Sequence, residues 1–336
     1  MELRQSYEDQ TERQKFVKRT MTLDDHPKVQ GYNFEKEFNF TEFIDSYFNT
    51  GFQATNLKLA LDIVKQMRKD KAYITLGFTS NMISSGVRDM ITYLTKHKLI
   101  NMLVTPAGGI EEDMIKVFKP FVIGQQRAPG AMLLENGINR TGNLFVPNDR
   151  YLHFERNFIP FLEKMYQKQL KLGRPLSGQE LLKEVGLYID NEESFLYWAA
   201  KNDIPVFCPA ITDGALGDMV YFFKKRQKDF IIDICKDMTE IVDIYLNVEK
   251  SGVIILGSGV TKHHILNANI FNGGADYTVL INTGNEFDGS DSGADPEESV
   301  SWCKIKPTSP YVKVNCDATI AFPLIVKAGF VDYVVE

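Results

Sequence analysis

Lys304 lies in the stretch EESVSWCKIK (297–306), an apolar and aromatic run directly after the acidic loop NEFDGSDSGADPEE. If residues 299–305 form a strand, side chains alternate between faces. Val300, Trp302 and Lys304 then share one face, with Ser301, Cys303 and Ile305 on the other. A lysine beside a tryptophan can lay its stem along the ring with its ammonium in water, or hold a cation–π contact. It can also be desolvated until the neutral amine is a nucleophile that forms a Schiff base with a carbonyl or imine. Carboxylates beside an aromatic face suit a polyamine: anions for its ammonium groups, a ring for its methylenes.

Other acidic residues gather in turns that follow apolar runs: Glu111, Glu112, Asp213, Asp218, Asp288, Asp291, Glu297, Glu298 and Asp317. Helix capping and dipole pairing account for Glu111, Glu112, Asp218 and Asp317, but not for the loop before Trp302. His263 and His264 open a helix after a Gly-rich turn. Adjacent residues face different directions, so the pair is a poor metal site, and no metal is expected; one of them is placed to move a proton.

The dinucleotide fingerprint G-x-G-x-x-G is absent. GSGVTK (257–262) has its first two glycines and a lysine in place of the third. Such a turn still offers backbone N–H groups to an anion. The turns containing Ser80, Asn81, Ser84 and Ser85, and Ala107, Gly108 and Gly109, add two more close backbone approaches. Three such turns on one edge suggest a phosphate-bearing cofactor.

The elements that must carry these turns follow a rhythm. Strand-like runs at 72–78, 100–105, 203–210, 252–257, 277–282 and 311–316 each lead into a polar turn, and helical segments alternate with them. This predicts an α/β fold: a Rossmann-like parallel sheet with helices on both faces and ligands at the edge beyond the strand ends. GFQATNLKLALDIVKQMRK (51–69) has helical periodicity, with Leu57, Leu61, Val64 and Met67 on one stripe. Residues 125–200 read as a helix-rich connecting layer. Residues 1–30 are polar and charged and read as an arm ahead of a single domain spanning 31–336.

Of 336 residues, 44% are hydrophobic and 24% charged, which is globular composition. No run approaches the roughly 20 apolar residues of a membrane span, and the N-terminus lacks a signal-peptide core. The net charge of −6 without a basic cluster argues against nucleic acid. Cys208, Cys235, Cys303 and Cys316 are far apart, which favours a reducing cytoplasm over a disulfide framework.

Taken in order, SNMIS, PAGGIEED, ITDGALGDM, GVTKHHILNAN, NTGNEFDGSDSGA, SVSWCKI and CDATIAFPL resemble the deoxyhypusine synthase family from about Tyr32 to the last strand. The resemblance implies NAD-dependent transfer of the 4-aminobutyl group of spermidine to an enzyme lysine, then to one lysine of the translation initiation factor 5A precursor. This is the first step of hypusine biosynthesis.

By motif position, Lys304 is the imine-forming lysine and His263 handles the proton of the amine being oxidised. Spermidine falls to Glu111, Glu112, Asp218, His263, Asn267, Gly289, Asp291, Glu298 and Trp302. NAD falls to Ser80, Asn81, Met82, Ile83, Ser84, Pro106, Ala107, Gly108, Glu112, Asp213, Thr283, Gly284, Asp317 and Ala318. The resemblance also implies a homotetramer, a dimer of dimers with active sites at a subunit interface, and an arm that can cover the entrance.

Three positions depart from the family pattern. Cys303 stands where glycine is usual, Ser258 replaces the middle glycine of a turn near the polyamine pocket, and Pro106 removes a backbone N–H from the cofactor turn. Competing readings are a homospermidine synthase-type transferase with putrescine as acceptor, a non-catalytic subunit that activates a paralogue, and a structural NAD-binding protein.

Overall fold

The computed structural model describes residues 23–335. Most of the expected arm, residues 1–22, lies outside the described residues; residues 23–30 are exposed.

Six strands form one sheet: β1 (Tyr73–Phe78), β2 (Met102–Val104), β3 (Val206–Phe207), β4 (Ser251–Leu256), β5 (Tyr277–Asn282) and β6 (Tyr311–Asn315). Their spatial order is β6-β5-β4-β1-β2-β3, every pair parallel. All six predicted runs supply a strand, and the order is that of a doubly wound dinucleotide-binding sheet. The chain leaves β1 toward one edge and returns at β4 to build the other, so the switch point lies between them.

The central strands are apolar on both faces because both faces are covered; every residue of β4 and β5 is buried. Ile254, Leu256, Val279 and Ile281 join one core with Val64 and Met67 of the helix Phe52–Lys69. Val253, Ile255 and Leu280 join the other, with Ile241, Tyr245, Ile265 and Leu266. The predicted stripe on Phe52–Lys69 buries Leu61, Val64 and Met67, with Leu57 packed at the margin.

The connecting layer contains the expected helices, Asp149–Leu172, Gly178–Ile189 and Phe195–Lys201. It also contributes strands Ile138–Thr141 and Leu144–Pro147 to a small antiparallel sheet completed by Val122–Ile123. The hairpin turns at Gly142, whose φ of 58° suits a residue without a Cβ.

One buried ion pair fixes the helix Ala107–Phe118, which carries Glu111 and Glu112. Arg88 Nε donates to Asp113 Oδ1 at 2.7 Å, with Arg88 4% exposed and Asp113 fully buried. Ser194 Oγ (2.5 Å) and Leu196 N (3.3 Å) both donate to the second oxygen, Asp113 Oδ2. Three helices thus converge on one carboxylate, and removing it strands a buried guanidinium. Asp113→Ala is expected to cost about 3–5 kcal/mol of stability, read as a lower midpoint in urea unfolding.

Candidate active site

The turns after β1, β4, β5 and β6 meet at the carboxyl edge of the sheet, around a cleft of about 290 Å³. Asn81, Met82, Thr283, Gly284, Asp317 and Ala318, all expected at a cofactor site, line it together. Gly257, Ser258 and Ser292 line it too. The turns touch closely. A Cβ on Gly257 would stand 2.4 Å from Thr79 Oγ1, and one on Gly108 would stand 2.7 Å from the Ser80 Cβ.

The other expected cofactor residues do not line the cleft. Ile83 and Ala107 are fully buried core side chains, so only their backbone can serve a ligand. Pro106 caps the helix Ala107–Phe118 with no side-chain hydrogen bond. Ser84 Oγ donates to Glu112 Oε2, and Asp213 is exposed on the turn after β3.

A second group is acidic. Glu111, 8% exposed, accepts from Leu216 N at 2.8 Å and so anchors the start of the helix Ala215–Arg226. Burial pushes its carboxyl up against the pull of that N–H and of Ala215 N–H, and Asp218 and Asp213 add to the rise. Burial likewise pushes the Glu112 carboxyl up to about 7, with Ser84 opposing and Glu111 adding.

The third group surrounds Lys304, and here the expected strand over 299–305 is overturned. Residues Pro296–Ser301 form a helix. Asp295 caps it by accepting from Glu297 N, Pro296 sits in the first turn, and Glu297 and Glu298 face the positive end of the dipole. This DPEE start signal outweighs the apolar alternation behind it. Trp302 is the C-cap, and Cys303 follows with φ at 58°. That is the left-handed position where helices commonly end in glycine, which explains the glycine usual there. Cys303 is therefore an exposed helix-end residue, not a strand residue opposite Lys304.

Lys304 is 8% exposed, and its Nζ stands 5.9 Å from the centre of the Trp302 ring, which is 64% exposed. Its backbone is tied at both ends: Lys304 N donates to Ser299 O, and Ala275 N donates to Lys304 O, each at 3.0 Å. Among the described residues no carboxylate forms an ion pair with it. Exposed His263 has Nδ1 3.3 Å from Asn267 Nδ2. Asp291 Oδ2 is buried without a hydrogen-bond partner, while Glu298 and Gly289 are exposed.

No hydrogen bond or ion pair among the described residues joins the Glu111–Asp218 group to the Lys304 group. The first follows β2 and β3, the second β4 and β5. Within a single chain the cofactor-type turns share the loop 283–295 with the lysine group and reach Glu112 through Ser84, but the acidic group and the lysine group do not meet.

Sequence reasoning gave no site role to three residues, and read Ser258, one of them, only as a departure from the family pattern. Ser258 lines the cleft with the cofactor-type residues, and its Oγ is buried without a partner. Lys262 is fully buried and donates to Asp291 O at 2.6 Å and Ala294 O at 3.3 Å. Lys313 donates to Gly284 O at 3.1 Å and to Gly293 O. The available signal for Lys262 was its intrusion into a glycine motif.

The strand order and edge cleft define an α/β protein with a doubly wound, Rossmann-like parallel sheet. A family model described as deoxyhypusine synthase matches residues 42–329. The chain is 47% identical to deoxyhypusine synthase from Senecio vernalis, over 90% of this chain and 89% of that one. It is 46% identical to the Arabidopsis thaliana enzyme, over 90% of each. A crystal structure described as a deoxyhypusine synthase from Entamoeba histolytica superimposes with a TM-score of 0.66 at 29% identity, covering 92% of this chain and 98% of that one. The chain belongs to the deoxyhypusine synthase family and is a transferase of that kind.

Two outcomes follow from this geometry. Cys303→Gly removes left-handed strain of about 1–2 kcal/mol and returns about 0.5–1 kcal/mol to the unfolded chain's entropy; a slightly raised thermal midpoint is expected. Glu112 has a folded pKa near 7, above its ordinary value of 4.5, so its ionisation destabilises the fold as pH rises between those values. Glu112→Gln without cofactor is expected to be more stable than the parent above pH 7, by on the order of 1–3 kcal/mol. The advantage should vanish near pH 4, as read by urea unfolding across pH.

Proposed function

We propose that the chain transfers the 4-aminobutyl group of spermidine, through an imine on Lys304, to a lysine of the translation initiation factor 5A precursor. The observation that carries this reading is the pairing of buried Lys304 and exposed Trp302 with a loop in which half-buried Asp291 keeps one carboxylate oxygen, Oδ2, buried and without a hydrogen-bond partner. A polyamine supplies the missing ammonium for Asp291 and the methylenes for the exposed indole.

We assign NAD to the edge cleft. The close backbone approaches and the unpartnered Ser258 hydroxyl fit a polar, phosphate-bearing ligand. When bound there, NAD accepts hydride from spermidine and returns it in the closing reduction, so net redox is zero. Around it, His263 with Asn267 takes the proton of the amine being oxidised, and Asp291 and Glu298 hold the ammonium groups. The Lys304 amine attacks the oxidised carbon, diaminopropane leaves, and the butylimine on Lys304 passes to the acceptor lysine.

Glu111, Glu112 and Asp218 join this site from a neighbouring subunit. Their separation from Lys304 within one chain supports that reading, as does the exposure of Trp302. The assembly we propose is a homotetramer with active sites at a subunit interface, built from a domain spanning 31–336, with the arm of residues 1–30 over the entrance. Among the described residues no helix is long and apolar enough to cross a membrane; we place the reaction in the cytoplasm.

The deciding measurement incubates the protein with NAD and spermidine labelled in its butyl portion, traps with borohydride and maps the adduct by mass spectrometry. Label on Lys304 is expected, dependent on NAD and abolished in Lys304→Ala, with chase onto the precursor protein in preference to putrescine. Chase onto putrescine instead would favour the homospermidine-forming reading. A protein that binds NAD but forms no adduct would favour a partner subunit.

A further inference from the structure

The loop 283–295 carries Glu286, Asp288, Asp291 and Asp295, whose charges repel one another. It is nevertheless folded tightly on itself: a Cβ on Gly293 would stand 1.6 Å from Asn285 O, and one on Gly284 would stand 2.9 Å from Ser292 O. Two ammonium groups reach beneath it from different elements. Lys262, on the helix Val260–Asn269, donates to the carbonyls of Asp291 and Ala294. Lys313, on β6, donates to those of Gly284 and Gly293.

Neither lysine forms an ion pair with a side chain among the described residues. Both are spent on main-chain oxygens, where a neutral donor would supply the hydrogen bond but not the charge. Lys262 also immediately precedes His263, so one residue links the helix of the proton-handling histidine to the loop of the unpartnered carboxylate.

We infer that Lys262 and Lys313 are positioning residues, one buried and one half-buried cation that clamp the acidic loop by its carbonyls and hold Asp291 at the spermidine site. The inference rests on the spermidine reading given above. Neither lysine touches substrate. The clamp sets the height of Asp291 above the sheet edge, and its charge offsets the loop's own repulsion, which a neutral side chain leaves unopposed.

The test uses the full chain with NAD, comparing the parent with Lys262→Met and with Lys313→Met, the latter at a half-buried position if the first fails to fold. Steady-state kinetics with spermidine and hydrogen exchange over residues 284–295 are read together. The clamp predicts a rise of about tenfold or more in the KM for spermidine, with a smaller change in kcat. It also predicts faster exchange confined to 284–295, and partial recovery of both in Lys262→Arg. Parent-like exchange in the loop and a parent-like KM in a folded variant would overturn it. So would a loss of kcat alone with KM unchanged, which would mark a chemical role instead. Failure of the parent itself to form the Lys304 adduct would overturn the spermidine reading and, with it, the assignment of the clamp.

Discussion

Tyr73–Phe78 pairs residue for residue with Ser251–Leu256 across the middle of the sheet, and from that parallel pairing the rest of the molecule takes its arrangement. Two neighbouring parallel strands whose crossovers run to opposite edges leave a gap above their carboxyl ends. The turns after β1 and β4 border that gap, and those after β5 and β6 complete its wall. Residues more than 200 positions apart in the chain, from Asn81 to Asp317, are thereby gathered around one cleft. The residues proposed for the cofactor are thus spread over several turns, and no single turn carries the glycine fingerprint.

The electrostatics of the site are layered. Carboxylates occupy the rim, where a polycation can meet them, while ammonium groups lie beneath, bonded to backbone oxygen. Burial pulls the Lys262 ammonium down, and the nearby Asp291 opposes that shift. On the far side of the sheet edge, burial raises Glu111 and Glu112. Desolvation thus acts against charge at both groups. Hydrogen bonds offset part of that cost: Lys262 to carbonyls, Glu111 to a helix N-terminus, Glu112 to a serine.

Much of this was legible in the sequence where period and composition agree. The six strands are short, β-rich and bounded by turn residues, so their existence, order of appearance and ligand-bearing edge could be read directly. Around Lys304 the apolar alternation, a weak signal over seven residues, competes with DPEE, a strong local start signal for a helix, and the helix wins. The hairpin at 138–147 was passed over because INRTGNLFVP has little apolar alternation and turns on a lone glycine. The partition of the acidic residues into two groups was not legible at all. It depends on which strands neighbour which, and every post-strand turn looks alike until the sheet is ordered.

The residue after the helix Pro296–Ser301 and its cap must adopt a left-handed backbone, and the chain then runs straight into the Ala275 bridge. Ser299 O, Ala275 N and Ala275 O fasten this short stretch through Lys304 N, Lys304 O and Lys306 N. Lys304 consequently behaves as an arm on a fixed pivot: its main chain has no slack, and all its travel comes from the four single bonds of its own side chain. Anything hung on its nitrogen sweeps a small arc beside Trp302. A second molecule that is to receive such a cargo has to bring its own nucleophile inside that arc, because the lysine cannot come out to meet it.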